Sequence, residues 1–197
     1  MVRKACLVIC IAALAACSTV EVYDASVGRE LSNQQALDLE EWYFHGRVLI
    51  KSDELLTANI QWQHTREEEQ GRFAERDDIN LFGALGLGAV KIALNEQEIS
   101  LDTGSGEVLR SEDKDAFIAQ HVGFVVPITA LRRWVIGTYL QDVPVQVFTD
   151  GFEQLGWRVS YTEYMQAPTG VMPRKIKISK GHIKLKLIID QWGVENE

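Results

Sequence analysis

Cysteine is almost missing from this 197-residue chain: its three copies, Cys6, Cys10 and Cys17, all lie within residues 1–17. Everything after Cys17 therefore lacks a disulfide and must be held by burial alone. Histidine is scarce too. His45, His64, His121 and His182 are scattered, without metal-ligand spacing. Basic residues are outnumbered 20 to 28, giving a net charge of −8. That balance excludes nucleic acid as a partner, because phosphate binding draws on clustered Lys and Arg. No nucleophile elbow occurs, since Gly104-Ser105-Gly106 has the composition of a turn. The acids sit on polar stretches such as Glu67-Glu68-Glu69, with no pair set apart for catalysis. No reaction emerges from these residues, so the chain reads as a non-enzyme with a binding or transport role, needing no cofactor or metal.

What is present begins at the amino end. Arg3 and Lys4 precede an apolar run over residues 5–14, too short for a bilayer that takes ~20 residues per helix. Charge, short apolar run and small residues together make a secretory signal peptide over residues 1–16. Leu14-Ala15-Ala16-Cys17 resembles a bacterial lipobox. In that processing the Cys17 thiol becomes S-diacylglycerol and the new amino terminus is N-palmitoylated. The plainer alternative is an ordinary signal with a chance cysteine. Two or more acyl chains anchor stably, at about 0.8 kcal/mol per buried methylene. Ser18 stands where an Asp would retain a lipoprotein at the inner membrane, so the expected location is the outer membrane of a Gram-negative cell. Loss of Arg3 and Lys4 from a chain at −8 leaves the mature form near −10.

Residues 17–28 lack periodicity and read as a lipidated, flexible tether, leaving residues 29–197 as one domain. Residues 31–42 have helix formers, a possible Ser32 cap and a narrow apolar stripe, which predicts an amphipathic helix. From Tyr43 the period becomes two. Phe44, Val48 and Ile50 alternate with His45, Arg47 and Lys51, and Leu56, Ala58, Ile60 and Trp62 with Thr57, Asn59, Gln61 and Gln63. Such alternation is the mark of strands with one wet face. Residues 66–70 read as a charged loop and 71–81 as a further strand. Two short helices, 113–123 and 127–137, interrupt the strands; the second has proline at its start and glycine at its end. Beyond them come strands over 145–148, 157–164, 174–179 and 182–192, with Asp150-Gly151 as a hairpin signal. In the last two, Ile176, Ile178, Ile183, Leu185 and Leu187 oppose Lys175, Lys177, Lys184 and Lys186. The lysine face has two readings: a solvated exterior that guards an edge, or a docking surface for an acidic partner or anionic head groups.

Asn80-Leu81-Phe82-Gly83-Ala84-Leu85-Gly86-Leu87-Gly88 breaks the alternation. It is apolar yet glycine-rich, which suits a turn or loop. Either its apolar residues fold into the core, or the loop presents Leu85 or Phe82 outward. It matches neither phosphate-binding glycine pattern. The whole predicts a mainly β, antiparallel fold of about ten to eleven strands with few helices, closing wholly or partly into a barrel. Phe44, Val48, Trp62, Trp157, Val159 and Ile176 are the inward candidates, either as plain core or as the wall of an apolar cavity.

Several stretches, in order, resemble the LolB family. They are the lipobox, the helix, and Trp42-Tyr43-Phe44-His45-Gly46-Arg47-Val48 against W-x-x-x-G-R-hydrophobic. Ala58-Asn59-Ile60-Gln61-Trp62-Gln63 follows, then Gly83-Ala84-Leu85-Gly86 against G-P-L-G, with Ala84 in place of proline. Pro127-Ile128-Thr129-Ala130-Leu131-Arg132-Arg133-Trp134-Val135-Ile136-Gly137 is similar to the family's P-hydrophobic-x-x-L-R-x-W-hydrophobic-x-G helix. Gly156-Trp157-Arg158-Val159-Ser160-Tyr161 and the run Ile183–Trp192 complete the series. The resemblance implies an unclosed barrel with helices as a lid over an apolar cavity, formed by Phe44, Val48, Trp62, Trp134, Trp157 and Ile176. It implies a monomer on the inner leaflet of the outer membrane, facing the periplasm. Its role would be to take lipoproteins from the periplasmic carrier LolA and pass their acyl chains to outer-membrane phospholipids. Leu85, helped by Phe82 and Leu87, would be the membrane-transfer loop. Rival roles are a lipid-anchored barrel for a small apolar ligand, a scaffold of an envelope complex, and a lipid-modifying hydrolase.

Overall fold

A computed structural model of the chain describes residues 21–33, 39–69, 72–83, 89–123 and 125–194. The period-two alternation folds as strands: β1 (Val22–Asp24), β2 (Trp42–Lys51), β3 (Leu55–Glu69), β4 (Arg72–Phe82), β5 (Ala89–Leu94) and β6 (Ile99–Asp102). They continue with β7 (Val108–Ser111), β8 (Val145–Phe148), β9 (Gly151–Gln154), β10 (Trp157–Ala167), β11 (Gly170–Lys180) and β12 (Ile183–Gly193). The helices are α1 (Ala25–Asn33), α2 (Lys114–Val122) and α3 (Ile128–Val135).

All twelve strands join one antiparallel sheet, ordered β7-β6-β5-β4-β3-β2-β12-β11-β10-β9-β8, with β1 added to β10. The two end strands, β7 and β8, do not pair with each other among the described residues, so the barrel is unclosed. The connection between these two open edges, residues 112–144, carries α2 and α3. The sheet curls enough that Ile99 and Leu101 near one edge, Phe152 near the other, and Leu131, Trp134 and Val135 of α3 share one core. Helices over an open sheet edge are the expected architecture.

The sheet is closely fitted where β12 meets β2. A bulge between Ile189 and Gln191 brings the Ile188 carbonyl so near Gly46 that an added Cβ would lie 2.4 Å from it. The bulged residue is Asp190, and Arg47 grips its carboxylate with two hydrogen bonds of 2.9 and 3.2 Å. The Gly-Arg pair of the W-x-x-x-G-R stretch is thus a bulge fitting.

Four local expectations are corrected. The helix expected over 31–42 is instead α1, ending at Asn33, and Trp42 opens β2 as a buried member of an aromatic cluster; residues 34–38 lie outside the described set. The segment expected to be a flexible tether to residue 28 forms β1 and starts α1 from Val22 onward. There Gly28 packs on Tyr164, leaving no room for a Cβ. Residues 66–69, expected as a charged loop, extend β3, where the ladder runs on to Glu69 opposite Arg72. Of its described side chains Arg66, Ala74 and Glu75 are half-buried and Phe73 is exposed, so no apolar alternation announces it. Asp150-Gly151 does turn the chain, but into a short strand, β9, ahead of β10.

Candidate functional site

The apolar interior is built from the buried phase of five elements. Phe44 and Val48 come from β2, Trp62 from β3, Trp157 from β10, Ile176 from β11 and Trp134 from α3. All six are at most 5% exposed and belong to one continuous core. Trp42, Phe44, Trp62 and Trp192 stack or tilt against one another at centroid distances of 5.1–6.0 Å. Trp134 meets Phe152 edge-on at 6.3 Å. The indole N–H groups of Trp62, Trp134 and Trp192 donate to Asp77, Gln154 and the Pro173 carbonyl, so the rings otherwise present apolar surface.

Helix α3 covers this interior with Ile128, Ala130, Leu131, Trp134 and Val135 buried beneath it. Polar links hold it at several points. Arg132 pairs with Glu75 and places its Nε 3.3 Å from Asp77 Oδ2. The other Asp77 oxygen accepts the Trp62 Nε1–H at 3.0 Å and lies 3.0 Å from His64 Nδ1. His64 and Asp77 side chains are 5% exposed, and Arg132 is 15% exposed. At the C-terminal end of the helix, the Tyr161 hydroxyl donates to the Trp134 carbonyl at 2.7 Å. Burial pushes the Tyr161 phenol well above its ordinary range. Gln154, 1% exposed, accepts from Trp134 Nε1 and from the Leu140 amide and donates to the Leu140 and Val143 carbonyls. The covering segment is therefore latched to the sheet by buried polar bonds, each group satisfied.

The His64 and Asp77 side chains are both buried, and the Asp77 carboxylate is shared among Trp62, His64 and Arg132 of α3. A half-open cleft of about 370 Å³ lies on the outer face, lined by Tyr43, His45, Gln61, Gln63, Asp78 and Asn80 among others. Phe44, Trp62 and Val194 also border it, so its walls mix polar and apolar groups.

The structure gathers all six expected cavity residues. Phe82 ends β4 on the outer face, 37% exposed, paired with Asn59 and Ala89 at the base of the glycine-rich connection. Cys17, Leu85 and Leu87 lie outside the described residues. The latch is what sequence reasoning missed. Its signal was available: His64 falls in the inward phase of Ile60 and Trp62, and Asp77 in that of Ile79. Two polar residues in the inward phase of their strands, facing each other across the ladder, mark a buried pair.

The family model described as outer membrane lipoprotein LolB matches residues 40–192. The chain is 26% identical to the outer-membrane lipoprotein LolB of Nitrosomonas europaea, over 93% of this chain and 89% of that one. It is 27% identical to that of an Azoarcus species, over 92% and 90%. Among solved structures, a DUF1329 family protein from Desulfovibrio piger superimposes with a TM-score of 0.50 at 8% identity, over 88% of this chain and 94% of that one, a likeness of fold alone. With its model matched over most of the domain and its relatives covered nearly end to end, the chain belongs to the LolB family.

Proposed function

We propose that this protein is an outer-membrane lipoprotein of the Lol system that accepts lipoproteins from the periplasmic carrier LolA and inserts them into the outer membrane. Cys17, N-palmitoylated and carrying S-diacylglycerol, tethers a monomer to the inner leaflet, facing the periplasm. The observation that carries this reading is the covering helix: α3 lies on a continuous apolar interior yet is held by polar bonds at discrete points. A helix so fastened can release as a unit, exposing the walls offered by Phe44, Val48, Trp62, Trp134, Trp157 and Ile176.

Transfer then needs neither ATP nor covalent chemistry. Each acyl methylene gains about 0.8 kcal/mol on leaving water, and it keeps that gain when it moves between apolar surroundings. The direction is set by which container holds the chain best, ending in the bilayer. Leu85, with Phe82 and Leu87 beside it, brings the emptying cavity to the lipid. A leucine held in water forgoes ~1.5–3 kcal/mol, which it recovers on entering the membrane. The test is reconstitution with LolA, a lipoprotein and liposomes. Leu85→Glu accepts the lipoprotein from LolA but fails to incorporate it into liposomes; normal incorporation by this variant would refute the role of the loop.

A further inference from the structure

The β2–β3, β4–β5, β9–β10 and β11–β12 connections all emerge at one end of the sheet, because successive antiparallel strands reverse there. That end carries apolar side chains in water: Leu55 is 68% exposed and Leu155 44%. Leu155-Gly156 forms the two-residue turn between β9 and β10, with φ of 55° and 73°. Among the described residues Leu155 is the only non-glycine at positive φ. A turn with both central residues left-handed favours Asn-Gly or Asp-Gly. A leucine there is disfavoured by its backbone and by its exposure alike. The neighbouring hairpin fixes it in place, since Lys180 Nζ donates to the Leu155 carbonyl at 3.2 Å.

Between the two leucines lies a field of lysines. Lys177 faces Lys186 across β11 and β12, and Lys184 faces Lys51 across β12 and β2. Like charges directly opposite repel. Among the described residues none of the four has a carboxylate within 4 Å, whereas Lys175 in the next row pairs with Glu163 and Arg47 with Asp190. The only acids in the β2–β3 turn are Asp53 and Glu54. A chain of net charge −8 thus concentrates unpaired positive charge beside outward leucines. From Leu55 to Leu155 this edge runs about 20 Å along the sheet, at ~4.8 Å per strand.

We infer that this end of the sheet docks on an anionic phospholipid surface. Leu55 and Leu155 enter the acyl boundary, while Lys51, Lys177, Lys184 and Lys186 meet the phosphates. Aliphatic tips on separate turns, flanking lysines whose stems are flexible and whose heads are point charges, fit a fluid charged plane. They supply no shaped pocket for an acidic protein. The inference rests on the membrane-anchored reading above but requires no transfer activity.

Flotation with vesicles tests it, using the mature chain from residue 17 with Cys17→Ala, so that neither the signal peptide nor an acyl anchor contributes. The chain binds vesicles of phosphatidylglycerol and phosphatidylethanolamine, and not those of phosphatidylcholine alone. Leu155→Asn lowers binding about tenfold while its thermal midpoint holds or rises, because asparagine tolerates the left-handed turn. Lys51→Glu with Lys184→Glu lowers binding about tenfold or more, and added salt weakens the parent in the same direction. Unchanged binding in both variants would overturn the inference. So would lysine variants that keep vesicle binding but lose lipoprotein uptake from LolA, which would assign the lysines to an acidic protein partner. If the parent takes no lipoprotein from LolA yet shows this vesicle pattern, the transfer reading fails and the docking surface stands.

Discussion

Replacing Arg132 by methionine separates the latch from the packing of α3. Methionine keeps most of the apolar stem and removes the charge. Breaking a buried ion pair costs about 3–5 kcal/mol, because the remaining charge is stranded. Here Asp77 keeps the Trp62 and His64 contacts at 3.0 Å, and Glu75 is one-third exposed, so the loss falls to about 2–3 kcal/mol. Arg47→Met provides the contrast. Arg47 and Asp190 are 53% and 48% exposed, and a pair so open to water is screened and contributes little. Urea unfolding measures both losses. Hydrogen exchange locates the first: amides of α3 exchange about 30-fold faster or more in Arg132→Met, since local opening follows the lost free energy, while those of β2 and β12 keep their relative protection. Equal losses from the two variants, or unchanged α3 exchange in Arg132→Met, would refute the latch.

Two further outcomes follow from the geometry. Gly46→Ala sets a Cβ 2.4 Å from the Ile188 carbonyl at the bulge, a backbone contact that cannot yield freely, and lowers stability by about 1–3 kcal/mol in urea. Tyr161→Phe removes the donor to the Trp134 carbonyl and costs about 1 kcal/mol at neutral pH. Tyr161 and Tyr164 are both raised by burial above the ordinary value of 10.0. Their neutral forms are therefore favoured in the folded state. The resulting stability is fully present below pH 10 and is lost as the pH climbs from there toward the folded values. Urea midpoints across that range fall less steeply in Tyr161→Phe than in the parent.

The strands were legible wherever one face is buried and the other wet, as in Phe44–His45 or Ile176–Lys177, because burial forces a period of two. The same rule explains the failures. Past Thr65 the β3–β4 ladder runs on to Glu69 and Arg72 while Arg66 and residues 73–76 contribute no buried side chain, so no pattern in the sequence reveals it. Helix α1 was misplaced because the apolar stripe over 31–42 includes Leu39 and Trp42, which pack on the core from a non-helical segment and a strand. Phe44, Val48, Trp62, Trp157 and Ile176 were legible as large apolar groups in the inward phase of strands, whereas Trp134 was reached only through the resemblance of its helix. Arg132 was present in the family-like helix stretch, but its partners are 55 and 57 residues away in sequence on β4, and only the folded register brings them beneath α3. Likewise Leu155 reads as an ordinary leucine until its turn is seen to be left-handed.

Acyl chains that enter the interior beneath α3 can be captured there by a photo-crosslinker. A diazirine leucine analogue at Val48, a buried residue outside the latch, is activated after LolA has delivered a lipoprotein. Val48 then crosslinks to the lipoprotein's acyl chains, and the crosslink disappears when vesicles have taken the cargo. Lipoprotein passing to the vesicles with no crosslink at Val48 at any stage would contradict entry beneath α3.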